Sequence, residues 1–154
     1  MNILEYIRTK QQMHQHMLAV LLDPEHPIPF PKGELDAADL ILVGGSTGGI
    51  SPDFIGQIRS LTRRPVGLFP GNPQQFTPQA DALLFLSVLS SRNADLLVGQ
   101  QIAAAATIQA SGIETLPMGY ILIDGGKDTA VLRASHSTPL SQSDIPTIVN
   151  TALA

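Results

Sequence analysis

Apolar runs of strand length recur along the chain, and several end in loops rich in glycine or proline. Three examples read MLAVLL before DPEHP, LILV before GGSTGG, and VGLF before PGNP. A run that is apolar on both faces is typical of a strand that is covered on both sides, as in parallel sheets. Strands that alternate with helical segments about every 25 residues indicate βαβ units. The pattern therefore predicts an α/β fold with a parallel sheet.

The boundaries of these elements follow from capping and breaking residues. Ser51 is placed to cap a helix that starts at Pro52, and Gly112 is placed to end a long alanine-rich helix. Segment 124–141 is polar and turn-rich. Strands are expected at residues 17–22, 40–43, 66–69, 82–86 and 117–123, and helices over 2–12, 33–38, 51–63, 96–112 and 143–154.

Composition excludes several classes of protein. The chain has 154 residues, of which 44% are hydrophobic and 14% charged, and this length predicts a single domain over residues 1–154. The net charge of −4 and the scattered lysines and arginines argue against nucleic-acid binding. The sequence has no cysteine, no apolar run long enough to span a membrane and no signal-peptide core, so a soluble cytoplasmic protein is expected.

The loops that follow the first three strands carry the chemically useful residues. Asp23 follows the first apolar run, and GGSTGG follows the second. Carboxylates are good ligands for Mg²⁺. Glycines let a backbone approach a ligand closely, and N–H groups ahead of a helix can receive an anion. Since function in parallel sheets lies at the carboxyl ends of the strands, we expect a phosphate or diphosphate site there.

Each of these motifs also has a purely structural explanation. Asp23 can cap the turn that begins at Pro24, a common role for an Asp-Pro pair. GGSTGG matches neither the Walker A pattern nor GxGxxG, and a glycine-rich turn can exist for its geometry alone. The four histidines, at positions 14, 16, 26 and 136, do not share a metal-binding spacing on one helix and are interpreted as surface or packed residues.

Five motifs in register resemble the geranylgeranylglyceryl phosphate synthase family, particularly its second group of archaeal and bacterial members. They read LLDPEHP, LILVGGSTGG, LFPGNPQQ, LLFLSVLSSRNADLLVGQQ and GIETLPMGYILID, and they span nearly the whole chain. The resemblance implies a modified (β/α)₈ barrel of the TIM type. It also implies Mg²⁺-dependent transfer of a prenyl group from a prenyl diphosphate to the 3-hydroxyl of sn-glycerol 1-phosphate, a step of ether-lipid biosynthesis.

The resemblance also assigns roles to individual residues. Asp23 and Ser46 match the family's Mg²⁺ ligands, with Thr47 as the alternative hydroxyl, and Gly44 and Gly45 belong to the loop that would receive the diphosphate. An apolar groove would hold the prenyl tail. Its candidates, each equally well explained as core, are Phe69, Phe85, Leu86, Met118 and the expected substrate-binding Tyr120.

The chain departs from the family in its length. A (β/α)₈ barrel typically takes about 250 residues, and this sequence resembles only the first five strands. The family's glycerol phosphate motifs, including Tyr-x-Glu-x-Gly-Ser-Gly, do not occur in it. We therefore expect a truncated barrel that is inactive by itself.

Two other functions remain open from the sequence. A half-barrel with exposed strand edges can self-associate without catalysing a reaction, so a homo-oligomer is one expectation. A different α/β enzyme could also use GGSTGG to bind another phosphate.

Overall fold

In the part of the chain that the structure describes, five parallel strands in the order β1-β2-β3-β4-β5 form one sheet. The computed structural model describes residues 2–45, 48–135 and 137–154. Its strands are β1 (Ala19–Leu22), β2 (Leu40–Val43), β3 (Val66–Leu68), β4 (Ala82–Val88) and β5 (Glu114–Tyr120). Spatial order that follows chain order is the arrangement of a (β/α)₈ barrel, whereas doubly wound sheets reverse direction at a switch point. The expected barrel-type α/β class is confirmed.

Within the described residues, five α-helices accompany the sheet: α1 (Ile3–Gln12), α2 (Pro52–Leu61), α3 (Gln100–Ser111), α4 (Ala130–Ser135) and α5 (Ile145–Leu153). The predicted caps are confirmed: the Ser51 hydroxyl accepts a hydrogen bond from the Phe54 N–H, and Gly112 ends α3 in the left-handed conformation. Two details of the helices differ from expectation. A π-helical turn at Asp95–Gly99 precedes α3, and α4 lies within the segment expected to be irregular.

Strand β5 begins three residues before its predicted start. Its seven residues pair with β4 from Ala82 opposite Glu114 to Val88 opposite Tyr120. The strand also ends three residues before its predicted end, and the predicted range already included Pro117, although proline removes a ladder donor. Proline is tolerated here since β5 pairs with one neighbour and is an edge strand among the described residues.

The two faces of the sheet pack against different layers. On the outer face, Ile41, Val43 and Leu68 contact a buried cluster that includes Ile55 and Ile58 of α2. The inner face carries a second buried cluster of Ile3, Leu40, Ala82, Leu84 and Leu116. The alternation of β2 between the two clusters explains why its sequence is apolar at every position.

Helix α1 closes the amino-terminal end of the inner face. Ile3 is 1% exposed there, a burial that contributes roughly 1.5–3 kcal/mol. The Glu114 carboxylate accepts hydrogen bonds of 2.8 Å from the Ile3 and Leu4 N–H groups, where a negative charge also favours the helix dipole. Asp39 holds the other side of α1, accepting hydrogen bonds from the Leu18 N–H at 2.9 Å and the Tyr6 hydroxyl at 2.8 Å.

Asp39→Asn should destabilise the fold in a pH-dependent way. The hydrogen bond from the Leu18 N–H, followed by that from Tyr6, lowers the pKa of Asp39 from its ordinary 3.8. A carboxyl with a lowered pKa stabilises the fold above 3.8, and this contribution is lost as pH falls through the folded-state pKa. The free energy of unfolding in urea should therefore be lower for Asp39→Asn than for wild type at neutral pH, and this difference should shrink below pH 3.8. The exposed Asp53→Asn is the control, and a deficit independent of pH would contradict the prediction.

Candidate functional site

A cavity of about 440 Å³ opens at the carboxyl ends of the strands. Its head is formed by the loops after β1, β2 and β3, and its walls by the inner faces of β4 and β5. The lining includes four residues predicted from the sequence, namely Asp23, Gly44, Gly45 and Tyr120. The expectation that these residues meet at one edge of the sheet is therefore confirmed.

Asp23 fulfils the structural role that the sequence left open and also faces the cavity. Its Oδ1 accepts a 2.9 Å hydrogen bond from the Glu25 N–H, which closes the turn after β1. Its Oδ2 lies 3.5 Å from the His26 Nδ1, and the side chain remains 40% exposed. Turn capping thus leaves carboxylate lone pairs available to a ligand.

The first two glycines of GGSTGG are required by close contacts. A Cβ on Gly44 would overlap the Phe69 carbonyl oxygen, and a Cβ on Gly45 would lie 2.9 Å from the Asp23 Oδ1. These contacts bring the loop after β2 against both neighbouring loops. Ser46 and Thr47, the expected hydroxyl ligands, lie outside the described residues.

A buried amide that the sequence did not single out joins two of these loops. Gln75, in the 3₁₀ turn Pro73–Gln75, is 0% exposed. Its Oε1 accepts from the Gly71 N–H at 2.8 Å, and its Nε2 donates to the carbonyls of Gly45 at 3.1 Å and Gly48 at 3.3 Å. One side chain therefore holds both flanks of the Ser46-Thr47 dipeptide. The only signal in the sequence was its place in PGNPQQ, two residues beyond a proline.

The wall of the cavity is largely apolar. Tyr120 packs edge to face on Phe69, with ring centroids 5.8 Å apart and planes at 84°. Phe69, Leu86 and Tyr120 line the cavity, as expected of groove residues. Phe85 instead points to the outer face, where it packs on the core cluster, and Met118 is 42% exposed on β5.

Two further segments reach the cavity without a clear signal in the sequence. Leu96 in the π-helical turn and Gln100 at the start of α3 line one side. Val131 and Ser135 of α4 line another. The position of α4 depends on a parallel β-bridge between Ile123 and Leu140, which brings together the two ends of the segment that contains α4. Residues 17 apart in sequence set this geometry, so local patterns could not reveal it.

The electrostatics of the cavity restrict what it can bind. Asp23 is the only charged side chain among the described lining residues. Within residues 2–45, 48–135 and 137–154, no three His, Cys, Asp or Glu side chains are grouped to hold a metal ion. One carboxylate beside open backbone suits Mg²⁺, which commonly takes one or two carboxylates, waters and substrate phosphate oxygens. The donor set therefore fits Mg²⁺ together with a phosphorylated ligand.

Fold and site together define a barrel-type α/β protein whose cavity has a glycine-rich head with one carboxylate and a largely apolar wall. A family model described as "PcrB family" matches residues 9–153, and the chain belongs to that family. None of the helices in the described part of the chain combines the length and apolarity needed to cross a membrane.

Named relatives agree with this assignment. The chain is 41% identical to the geranylgeranylglyceryl phosphate synthase of Flavobacterium johnsoniae, covering 91% of this chain and 61% of that protein. It is 40% identical to the enzyme of the same name from Zunongwangia profunda, covering 99% of this chain and 68% of the relative.

A solved structure shows the same fold. The (S)-3-O-geranylgeranylglyceryl phosphate synthase of Thermoplasma acidophilum, in complex with its substrate sn-glycerol-1-phosphate, superposes with a TM-score of 0.85 at 31% identity. The match covers 99% of this chain and 64% of that one. The chain therefore spans between 61% and 68% of the length of these three proteins.

Gln75→Glu should destabilise the protein by roughly 1–3 kcal/mol, because a carboxylate cannot donate to the Gly45 and Gly48 carbonyls and would face them across a buried contact. Denaturant unfolding measures this loss. The neighbouring Gln74 is exposed, so Gln74→Glu adds the same charge and is the matched control. Equal stability of the two variants would contradict the proposed tether.

Proposed function

We propose that the protein acts in Mg²⁺-dependent prenyl transfer from a prenyl diphosphate, such as geranylgeranyl diphosphate, to the 3-hydroxyl of sn-glycerol 1-phosphate. The observation that carries the proposal is Asp23 beside two side-chain-free glycines at the head of a 440 Å³ apolar cavity. A prenyl diphosphate has the same division, with a charged head and a hydrocarbon tail. The names of the relatives and the structure holding sn-glycerol-1-phosphate support the choice of donor and acceptor.

The chain's own residues divide the work of binding. The loop at Gly44 and Gly45 gives the diphosphate an approach to the backbone, and the half-buried Phe69 and Tyr120 exclude water along the tail. Asp23 would hold Mg²⁺, together with Ser46 by analogy with the family. When bound, Mg²⁺ supplies positive charge to the departing pyrophosphate.

The overall reaction breaks the carbon–oxygen bond between the prenyl C1 and the diphosphate, and forms an ether bond to the glycerol 3-oxygen. Pyrophosphate leaves with the bonding electron pair, and the hydroxyl proton is released. The described cavity supplies the donor side of this reaction, so the test below concerns binding of the prenyl diphosphate.

Calorimetry with geranylgeranyl diphosphate tests the donor site. We expect Mg²⁺ to increase the affinity for geranylgeranyl diphosphate. Asp23→Asn should reduce this Mg²⁺-dependent increase by about tenfold or more, the size of effect seen when metal coordination is disturbed. Glu34→Gln, an exposed change in the 3₁₀ turn that precedes β2, removes the same charge at the other end of the sheet. Unchanged Mg²⁺ dependence in Asp23→Asn would contradict the assignment of Asp23.

A second candidate function is self-association of a non-catalytic half-barrel. The apolar side chains of Leu21 and Met118 favour it, because they lie on the inner face of the sheet and are 51% and 42% exposed. The outer strands of the described sheet, β1 and β5, also each leave one edge unpaired.

Light scattering on the purified chain should then detect a dimer or larger species, because a second copy would cover these surfaces. Leu21→Gln should weaken the association, and Leu153→Gln, which changes an exposed leucine at the end of α5, is the control. A monomer at all concentrations would exclude this candidate.

A further inference from the structure

The loop after β3 lies in direct reach of the proposed diphosphate site. A Cβ on Gly71 would come within 2.6 Å of the Gly45 carbonyl oxygen, and Gly45 in turn lies against Asp23. Asn72 follows Gly71 and lines the same cavity. The three loop ends therefore form one continuous head, of which Asn72 is part.

The orientation of the Asn72 carboxamide is set by a backbone donor. Its Oδ1 accepts a 2.9 Å hydrogen bond from the Gln74 N–H, and a backbone N–H can only pair with the oxygen of the amide. The amide nitrogen is therefore the free end of this half-buried side chain. In the described part of the chain, the Asn72 Nδ2 has no hydrogen-bond acceptor.

The charge of the cavity explains why such a donor is needed. The only charged lining side chain is the Asp23 carboxylate, so the described lining offers an anion no lysine or arginine. A diphosphate must then be held by a cation and by neutral N–H and O–H donors, of which Tyr120 and Ser135 supply the hydroxyls. Gln100 is another amide in the lining, but among the described residues no hydrogen bond fixes its orientation.

We propose that the Asn72 Nδ2 donates a hydrogen bond to the diphosphate of the prenyl donor, which makes Asn72 a substrate-binding residue. The inference rests on the proposed function and adds one protein side chain, Asn72, to the groups that would bind the diphosphate. It also gives the PGN motif a role, because Gly71 permits the close approach of the loops and Asn72 supplies the donor.

Substitutions at position 72 separate this role from turn capping. Asn72→Asp keeps the acceptor for the Gln74 N–H but replaces the donor by a negatively charged oxygen. Asn72→Ala removes both functions without adding charge. A diphosphate-binding role predicts affinity in the order wild type, Ala, Asp, with a loss of about tenfold or more for Asp. A turn-capping role predicts that Asp stays close to wild type and that Ala is worse.

The measurement is calorimetric titration of the full 154-residue chain with inorganic pyrophosphate and with geranylgeranyl diphosphate, at saturating Mg²⁺. Asn93→Asp is the matched control, because the exposed Asn93 makes the same turn, accepting from the Asp95 N–H at 3.0 Å, away from the cavity. Thermal unfolding checks that Asn72→Asp remains folded.

The outcomes distinguish the two proposals. If wild type binds and only the position-72 variants lose affinity in the predicted order, Asn72 is the donor. If wild type and Asn72→Asp bind equally well, the role of Asn72 is overturned while the proposed function stands. If wild type binds neither ligand, the proposed function fails and the role of Asn72 fails with it.

Discussion

The close packing of three loops depends on positions that have no side chain. Gly44 lies against the Phe69 carbonyl, Gly45 against the Asp23 carboxylate, and Gly71 against the Gly45 carbonyl. A Cβ at Gly44 or Gly71 would force the loops apart, because these two contacts are with backbone atoms that cannot rotate away, whereas a Cβ at Gly45 would displace the Asp23 carboxylate. The close approach of the three loops therefore depends on glycine at positions 44 and 71.

Gln75 adds a polar constraint to this steric one. A fully buried amide must satisfy its donor and acceptor, and it does so with backbone groups of both the second and the third loop. The two loops are therefore held in one relative position before a ligand arrives. Preorganisation of this kind reduces the cost of ordering a binding site.

The cavity has a polar head and an apolar wall, as a prenyl diphosphate has a charged head and a hydrocarbon tail. A single carboxylate and a glycine backbone occupy the head, and aromatic and aliphatic side chains occupy the wall. The opposite end of the sheet has its own charges, where Glu114 and Asp39 fasten α1 across the inner face. The contacts that fasten α1 and the proposed ligand site thus lie at different ends of the same strands, as stability and function do in barrel enzymes generally.

Much of this arrangement was determined by the sequence alone. Runs that are apolar on both faces, of strand length and bounded by glycine or proline, are typical of strands between two layers. The parallel sheet, four of its strand positions and the placement of Asp23, Gly44 and Gly45 at its carboxyl edge were therefore predictable. Contacts between distant segments were decided only in the tertiary structure. The start of β5 depends on pairing with β4, and the roles of Gln75, Asn72 and α4 depend on which backbone groups lie opposite them. A hydrogen-bond partner or a cavity wall far away in sequence leaves no periodic trace in the chain, and this is the physical reason why only folding reveals it.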